Sequence, residues 1–342
     1  MTYVVQTDRQ KVVKELASTS NQPENRVSFT VNTSRISWIN KPTIEAHMHS
    51  PFCRRDFIRK TLISGCLTSL AMSQQNATGQ TNNSAMKFGL VTYLWGKDMK
   101  LKELLQTCEA AGIHGVELRT EHAHGVEPSL SKRERAEVKK MFAGSPVELV
   151  GYGSNAQYHE NDAEKLQKNI ETTKRYIELM HDCGGSGVKV KPNGFPQGVE
   201  REKTIDQIGK SLNLVAEYAQ GYGQQIRVEV HGRGTSELPV IRDIFQVANH
   251  PNATICWNSN EVDLEGEGIE KNFQMVQDRF GDTVHVRELD TGSYPYDKLF
   301  KLLSGINYQG WILLEARTNP TEKTKAMIAQ RKSFEELLDA IQ

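Results

Sequence analysis

Five polar residues sit where short apolar runs end: Glu117 in GVEL, Glu229 in IRVEV, Asn258 in TICWN, His285 in TVHV and Glu315 in WILLE. A carboxylate buried in a strand is costly unless a partner charge or a metal compensates it. The recurrence of such residues along the chain points to one shared site. Glu229, Asn258, His285 and Glu315 each offer one oxygen or nitrogen donor from successive runs. A mixed Glu, Asn and His set suits a hard or borderline divalent ion, Mn2+ or Mg2+ first and Zn2+ or Co2+ less exclusively. Taken singly, each has an ordinary structural explanation, such as an Arg-paired Glu or a core His bonded to backbone. Four in register favour a metal. Glu261 and Asp263, just downstream of Asn258, are further oxygen donors.

Other polar residues fall on the same side of their runs. Glu117 and Arg119 end GVELR, and His122 and His124 follow in TEHAHGVE. Lys189 and Lys191 share one face of GVKVK, two residues apart. His231 stands two residues after Glu229, and Arg287 and Glu288 end TVHVRE. Walls of this kind fit a hydroxyl-rich ligand, with His231, Glu117, Arg119, His124, Lys189, Lys191 and Arg287 as substrate contacts. A salt-bridge network closing the site is the plainer alternative for the Lys and Arg residues. Trp95 and Trp257 either stack on a sugar face or fill core volume.

Elements that alternate strand and helix must position these groups. Strands are predicted at 87–93, 115–119, 147–152, 187–191, 226–230, 253–257, 283–287 and 310–315. Between them, Ile205, Ile208, Leu212, Val215 and Ala219 recur at helical spacing. So do Leu166, Ile170, Ile177 and Met180, and, in the last helix, Phe334, Leu337, Leu338 and Ile341. Gly112, Gly144, Gly184 and Gly221 stand where helices should stop, as C-cap glycines do. Eight such pairs in about 256 residues give an α/β fold, a single-domain (β/α)8 TIM barrel, whose strand ends converge on one mouth. A doubly wound open sheet would need a glycine-rich phosphate turn after an early strand, and the first strand runs instead into TYLWGKD.

The 342 residues carry 42 Lys+Arg and 42 Asp+Glu, so no excess charge favours nucleic acid or an anionic membrane. The five cysteines show no CxxC spacing, which argues against a disulfide framework or a zinc finger. No apolar run is long enough for a membrane span. Residues 1–47 are polar and without period, read as disordered or as the product of a mis-assigned start. From Met48, Arg54-Arg55-Asp56-Phe57-Ile58 precedes the apolar TLISGCLTSLAM. This resembles a twin-arginine export signal over 48–73, with a linker at 74–86 and a periplasmic enzyme as the implication.

The order and spacing of Glu229, His285 and Glu315 resemble the sugar phosphate isomerase/epimerase superfamily, the xylose-isomerase-like TIM barrels, over residues 87–342. The family places Glu, Asp, His and Glu on its last four strands around a divalent ion. Asn258 stands where the Asp is usual. The resemblance implies a metal-dependent isomerase or epimerase of a sugar or oxidised sugar. Glu229 and Glu315 would be acid/base pair and ligands, moving a proton beside a carbonyl through an enediolate. A lyase acting on a keto-glycoside shares that first step, and a sugar-binding protein without catalysis is the reading that Asn258 feeds. The family's zinc endonuclease branch needs more His and Asp ligands and a basic face. The expected partner is a small carbohydrate, and homo-oligomerisation stays open.

Overall fold

The computed structural model describes residues 86–341. The segments 1–47 and 48–73, including the export-signal reading, lie outside the described residues, as does the 74–86 linker except for Met86. Met86 is buried against the barrel, so it belongs to the fold rather than to a linker.

Eight parallel strands close in sequence order, β8 pairing with β1. They are β1 (Lys87–Val91), β2 (Gly115–Arg119), β3 (Glu148–Gln157), β4 (Gly187–Lys191), β5 (Gln225–Glu229), β6 (Ala253–Asn258), β7 (Phe280–Val286) and β8 (Trp311–Leu314). The helices are α1 (Leu101–Ala111), α2 (Lys132–Ala143), α3 (Ala163–Cys183), α4 (Arg201–Gln220), α5 (Leu238–Val247), α6 (Ile269–Val276), α7 (Tyr296–Gly305) and α8 (Lys323–Asp339). The (β/α)8 barrel expected from the sequence is the observed fold.

Strand alternation divides the core in two. Val116 and Leu118, Val188 and Val190, Ile226 and Val228, and Ile312 and Leu314 face the helices and join the large apolar layer between sheet and helix ring. Each such side chain contributes roughly 1.5–3 kcal/mol relative to exposure. The alternate residues fill the lumen, where Val91, Val150, Trp311 and Leu313 make a separate small apolar cluster. Arg227 lies in the same lumen, fully buried. Its guanidinium donates to Val150 O at 2.9 Å, Ser186 Oγ at 2.8 Å and Gln225 Oε1 at 3.1 Å, and lies 3.5 Å from Asp282 Oδ2. A buried cation is tolerated when its donors are satisfied in this way.

Two of the four glycines expected to stop helices do so in the left-handed conformation, Gly112 at φ 69° and Gly184 at φ 90°. Gly144 and Gly221 also follow their helices but at φ −91° and −62°, so the chain turns there without a positive φ. Trp257 is core, packed on Phe273 and Phe280 outside the lumen. Trp95 is buried, its Nε1 donating to Thr318 O at 3.0 Å, which ties the loop after β1 to the loop after β8.

Lumen glycines make room for the largest fillers. A Cβ on Gly115 would lie 2.3 Å from the Trp311 ring. Gly115→Ala is therefore expected to cost about 1–3 kcal/mol, as overpacking does. Urea unfolding of the variant beside the wild type measures it; equal midpoints would mean the lumen repacks freely.

Candidate active site at the barrel mouth

β2, β4, β5, β7 and β8 bring five of the expected residues into one buried layer at their C-terminal ends: Glu117, Lys189, Glu229, His285 and Glu315. Glu229, His285 and Glu315 each present one donor atom, all within 4.8 Å of one another. Glu117 lies behind His285, its Oε1 3.3 Å from Nε2. On the other side, Glu315 Oε2 is 4.0 Å from His285 Nδ1, and Arg119 Nη1 is 3.4 Å from Glu315 Oε1.

Of the two readings open for Lys189, ligand wall or salt-bridge network, its surroundings match the second: the ammonium is fully buried in the carboxylate layer. Nζ lies 2.6 Å from Glu229 Oε2 and 3.8 Å from Glu117 Oε1. The short contact lacks hydrogen-bond alignment, so its attraction is chiefly ionic. Gly153 on β3 opens this space; a Cβ there would lie 3.1 Å from Arg119 Cγ and 3.2 Å from Glu117 Oε1 and Lys189 Cε.

Burial pushes the Glu229 carboxyl up, but the Lys189 ammonium, followed by His285, outweighs it and holds Glu229 well below the usual carboxylate range. Burial and then His285 and Lys189 act on Glu117 in the same opposed way, with the same net lowering. Burial disfavours charge on Lys189, yet Glu229 and Glu117 raise its pKa, so it remains an ammonium.

Asn258 joins the layer in a role of its own. Its Nδ2 donates to Glu229 Oε1 at 3.0 Å, so the amide steadies the glutamate. With Lys189 on Oε2, both Glu229 oxygens are engaged. Asp263 does not reach the layer: its Oδ2 accepts from Asn260 N and Tyr294 OH, both at 2.8 Å. Burial raises its pKa to about 7. Glu261 is exposed on the same 3-10 turn, Glu261–Leu264.

The remaining expected contacts divide. His231 is half-buried, its Nδ1 2.9 Å from Asn193 Oδ1 in the loop after β4. Lys191 is half-buried one step above Lys189. Arg119 stacks over the Tyr93 ring, 4.9 Å from its centroid. His124 presents no free nitrogen: Nε2 meets Arg119 O at 2.7 Å and Nδ1 accepts from Val126 N at 3.0 Å. It braces the loop after β2. Arg287 turns to Asn260, Nη2 to Oδ1 at 2.7 Å, and Glu288 accepts from Arg317 N and from Thr318 N and Oγ1. These two hold the loops after β6 and β8. His122 is half-buried beside Thr92, and burial with Arg119 nearby lowers its pKa to about 4. A cavity of about 550 Å3 adjoins His231 through Asn193 and is lined by His159, Asn161, Phe195 and Arg233.

The residues present fit a divalent ion. Both ring nitrogens of His285 are buried without hydrogen-bond partners, Glu229 Oε2 has only the ionic contact with Lys189, and the set is nitrogen and carboxylate oxygen. Glu229, His285 and Glu315 would hold the ion.

Comparison with known proteins agrees with this architecture. A probable ketose 3-epimerase of Synechocystis sp. is 22% identical over 248 residues, covering 68% of this chain and 84% of that protein. The apo 3-keto-D-glucoside 4-epimerase of E. coli superposes with a TM-score of 0.62 at 16% identity, over 74% of this chain and 98% of that one. A zinc-bound IOLI protein superposes with a TM-score of 0.61 at 18% identity, over 75% and 98%. The xylose isomerase-like TIM barrel family matches residues 105–337, most of the described chain, and the protein belongs to that family.

Proposed function

We propose that the protein is a metal-dependent epimerase or isomerase of a sugar or oxidised sugar. The observation that carries this reading is the convergence of Glu229, His285 and Glu315 in one buried layer at the barrel mouth. The relatives named as ketose and keto-glucoside epimerases support the substrate class. A bound divalent ion would polarise a substrate carbonyl as a Lewis acid. Glu229 and Glu315, on β5 and just after β8, are the pair that removes and returns the proton on the neighbouring carbon. The C–H electron pair moves toward the carbonyl oxygen, and reprotonation from the opposite face inverts the centre. Arg119 holds Glu315, and Asn258 holds Glu229, which fixes both carboxylates in place. His231, Lys191 and the cavity beside Asn193 supply hydroxyl contacts. Export by the twin-arginine route, read from Arg54 and Arg55, is part of the same proposal.

Incubation of keto-sugars and keto-glycosides with the Mn2+-loaded protein in deuterated water tests the reaction. Label at the carbon beside the carbonyl, with no leaving group released, is the expected outcome; release of the aglycone would make the enzyme a lyase. Glu229→Gln and Glu315→Gln should each lower turnover about 10²–10⁴-fold. Near-normal rates in both would remove the two-glutamate mechanism.

Asn258→Asp would set a second carboxylate against Glu229 where an amide now donates at 3.0 Å. Without added metal the variant should melt lower than the wild type, and saturating Mn2+ should raise its melting temperature more. Identical metal-induced shifts would show that position 258 does not sense the ion. For export, changing Arg54 and Arg55 to Lys should leave the precursor in the cytoplasm, as fractionation and immunoblotting would reveal; unchanged secretion sinks that part.

A further inference from the structure

The carboxylate layer contains a cation that the proton transfer does not use. Lys189 lies within β4, its side chain without solvent exposure, between Glu229 Oε2 at 2.6 Å and Glu117 Oε1 at 3.8 Å. An ammonium is costly to bury, so its place here needs a reason beyond filling space. Charge balance supplies one. Glu117, Glu229 and Glu315 face Lys189 and Arg119, which leaves one net negative charge with His285 in the neutral form that an ion requires of a ligand. A divalent ion in the same layer would overshoot to one net positive charge. The ion would also meet the ammonium at Glu229, since Nζ already holds Oε2, one of the buried atoms without a hydrogen bond.

We propose that Lys189 is a resident cation that competes with the divalent ion for Glu229. Binding of the ion and the Lys189–Glu229 ion pair oppose each other, and Glu117 is the carboxylate that receives the ammonium when Glu229 is released. Glu117 is suited to this: it is already the second carboxylate beside Nζ, in a space that Gly153 keeps open. Lys189 is then a positioning residue that sets the occupancy of the site. The proposal rests on the metal reading above.

Calorimetric titration of the purified protein with MnCl2 tests it without any substrate. Lys189→Gln should tighten Mn2+ binding about tenfold or more, because like charges a few ångströms apart repel strongly even at an effective dielectric of about 20. A purely structural lysine would do the reverse, since its loss would loosen the layer and weaken binding. Glu117→Gln should weaken binding in the wild-type background and have a smaller effect once Lys189 is replaced. Lys191→Gln, on the same face but farther out, should change affinity much less than Lys189→Gln. If Lys189→Gln does not fold, the double variant Lys189→Met with Glu117→Gln removes both charges together and should still bind Mn2+ more tightly than the wild type. Unchanged or weaker affinity in the Lys189 variants overturns the competition, as does equal tightening by Lys191→Gln, which would indicate a general field. Absence of Mn2+ binding in the wild type and every variant would overturn the metal reading itself, and this proposal with it.

Discussion

Carboxylates taken out of water must be matched, and the mouth of this barrel holds three of them. Glu117, Glu229 and Glu315 are buried together, and the layer survives because each has a cation or a donor against it. Lys189 stands between Glu229 and Glu117, Arg119 reaches Glu315, and His285 bridges Glu117 and Glu315. The strands inherit this requirement. Each must deliver its polar residue to the mouth, which the sheared parallel register does: Asn258 pairs directly with His285, whereas Lys189 pairs with Arg227 and Glu229 with Cys256, each two residues before the layer residue of the neighbouring strand. A slip of one residue would turn every member of the layer toward the helices and their apolar packing.

The fold was legible because two periods alternate cleanly along the chain. Outward residues such as Val188, Val190, Ile226 and Val228 repeat every second position, and helical stripes such as Ile208, Leu212 and Val215 intervene. The candidate site is legible as far as the strand ends: Glu117, Glu229, His285 and Glu315 all close short apolar runs, and the structure brings them together. Arg227 escaped notice although the same alternation contains it. It stands two residues before Glu229, so it had to face the lumen as well. For Lys189 the sequence leaves a ligand wall and a salt bridge both open, since it does not tell how far a side chain in mid-strand lies from its neighbours across the barrel. The places of His124 and Arg287 are hidden for a related reason. A polar residue in a loop can turn inward to ligand or back to its own backbone, and the deciding partners, Val126 N and Asn260 Oδ1, carry no signature in sequence. Asp263 likewise turned to Tyr294, a partner on a different loop.

The lumen below the carboxylate layer repeats the same solution with the opposite sign. Arg227 is a buried cation surrounded by acceptors from β3, the start of β4 and β5. Gly151 and Gly187 are the positions that let the guanidinium in, for a Cβ on either would come within 2.8 Å of it. One side of the lumen under the site is therefore polar and hydrogen-bonded. Trp311 and Leu313 fill the other side of the same lumen, so the β8 end that carries Glu315 is anchored by apolar packing. Glu229 and Glu315 are thus supported differently, one above a hydrogen-bonded arginine and one above a hydrophobic plug.

Asn258 and Lys189 are two independent changes of one quantity. An aspartate at 258 would add a negative charge about where an amide now donates to Glu229, and a neutral residue at 189 would remove a positive one. Both residues as they stand make the surroundings of Glu229 more positive, and both act directly on its oxygens. The consequence concerns the glutamate as well as any ion it would hold. A carboxylate stabilised from both sides is a weaker base than one left bare, because its pKa is depressed. Glu315 has only the longer 3.4 Å contact with Arg119 and faces His285 at 4.0 Å. The two carboxylates are therefore held unequally. Releasing Lys189 from Glu229 would reduce that inequality, so the same ion pair bears on both the charge of the site and how firmly each carboxylate is held.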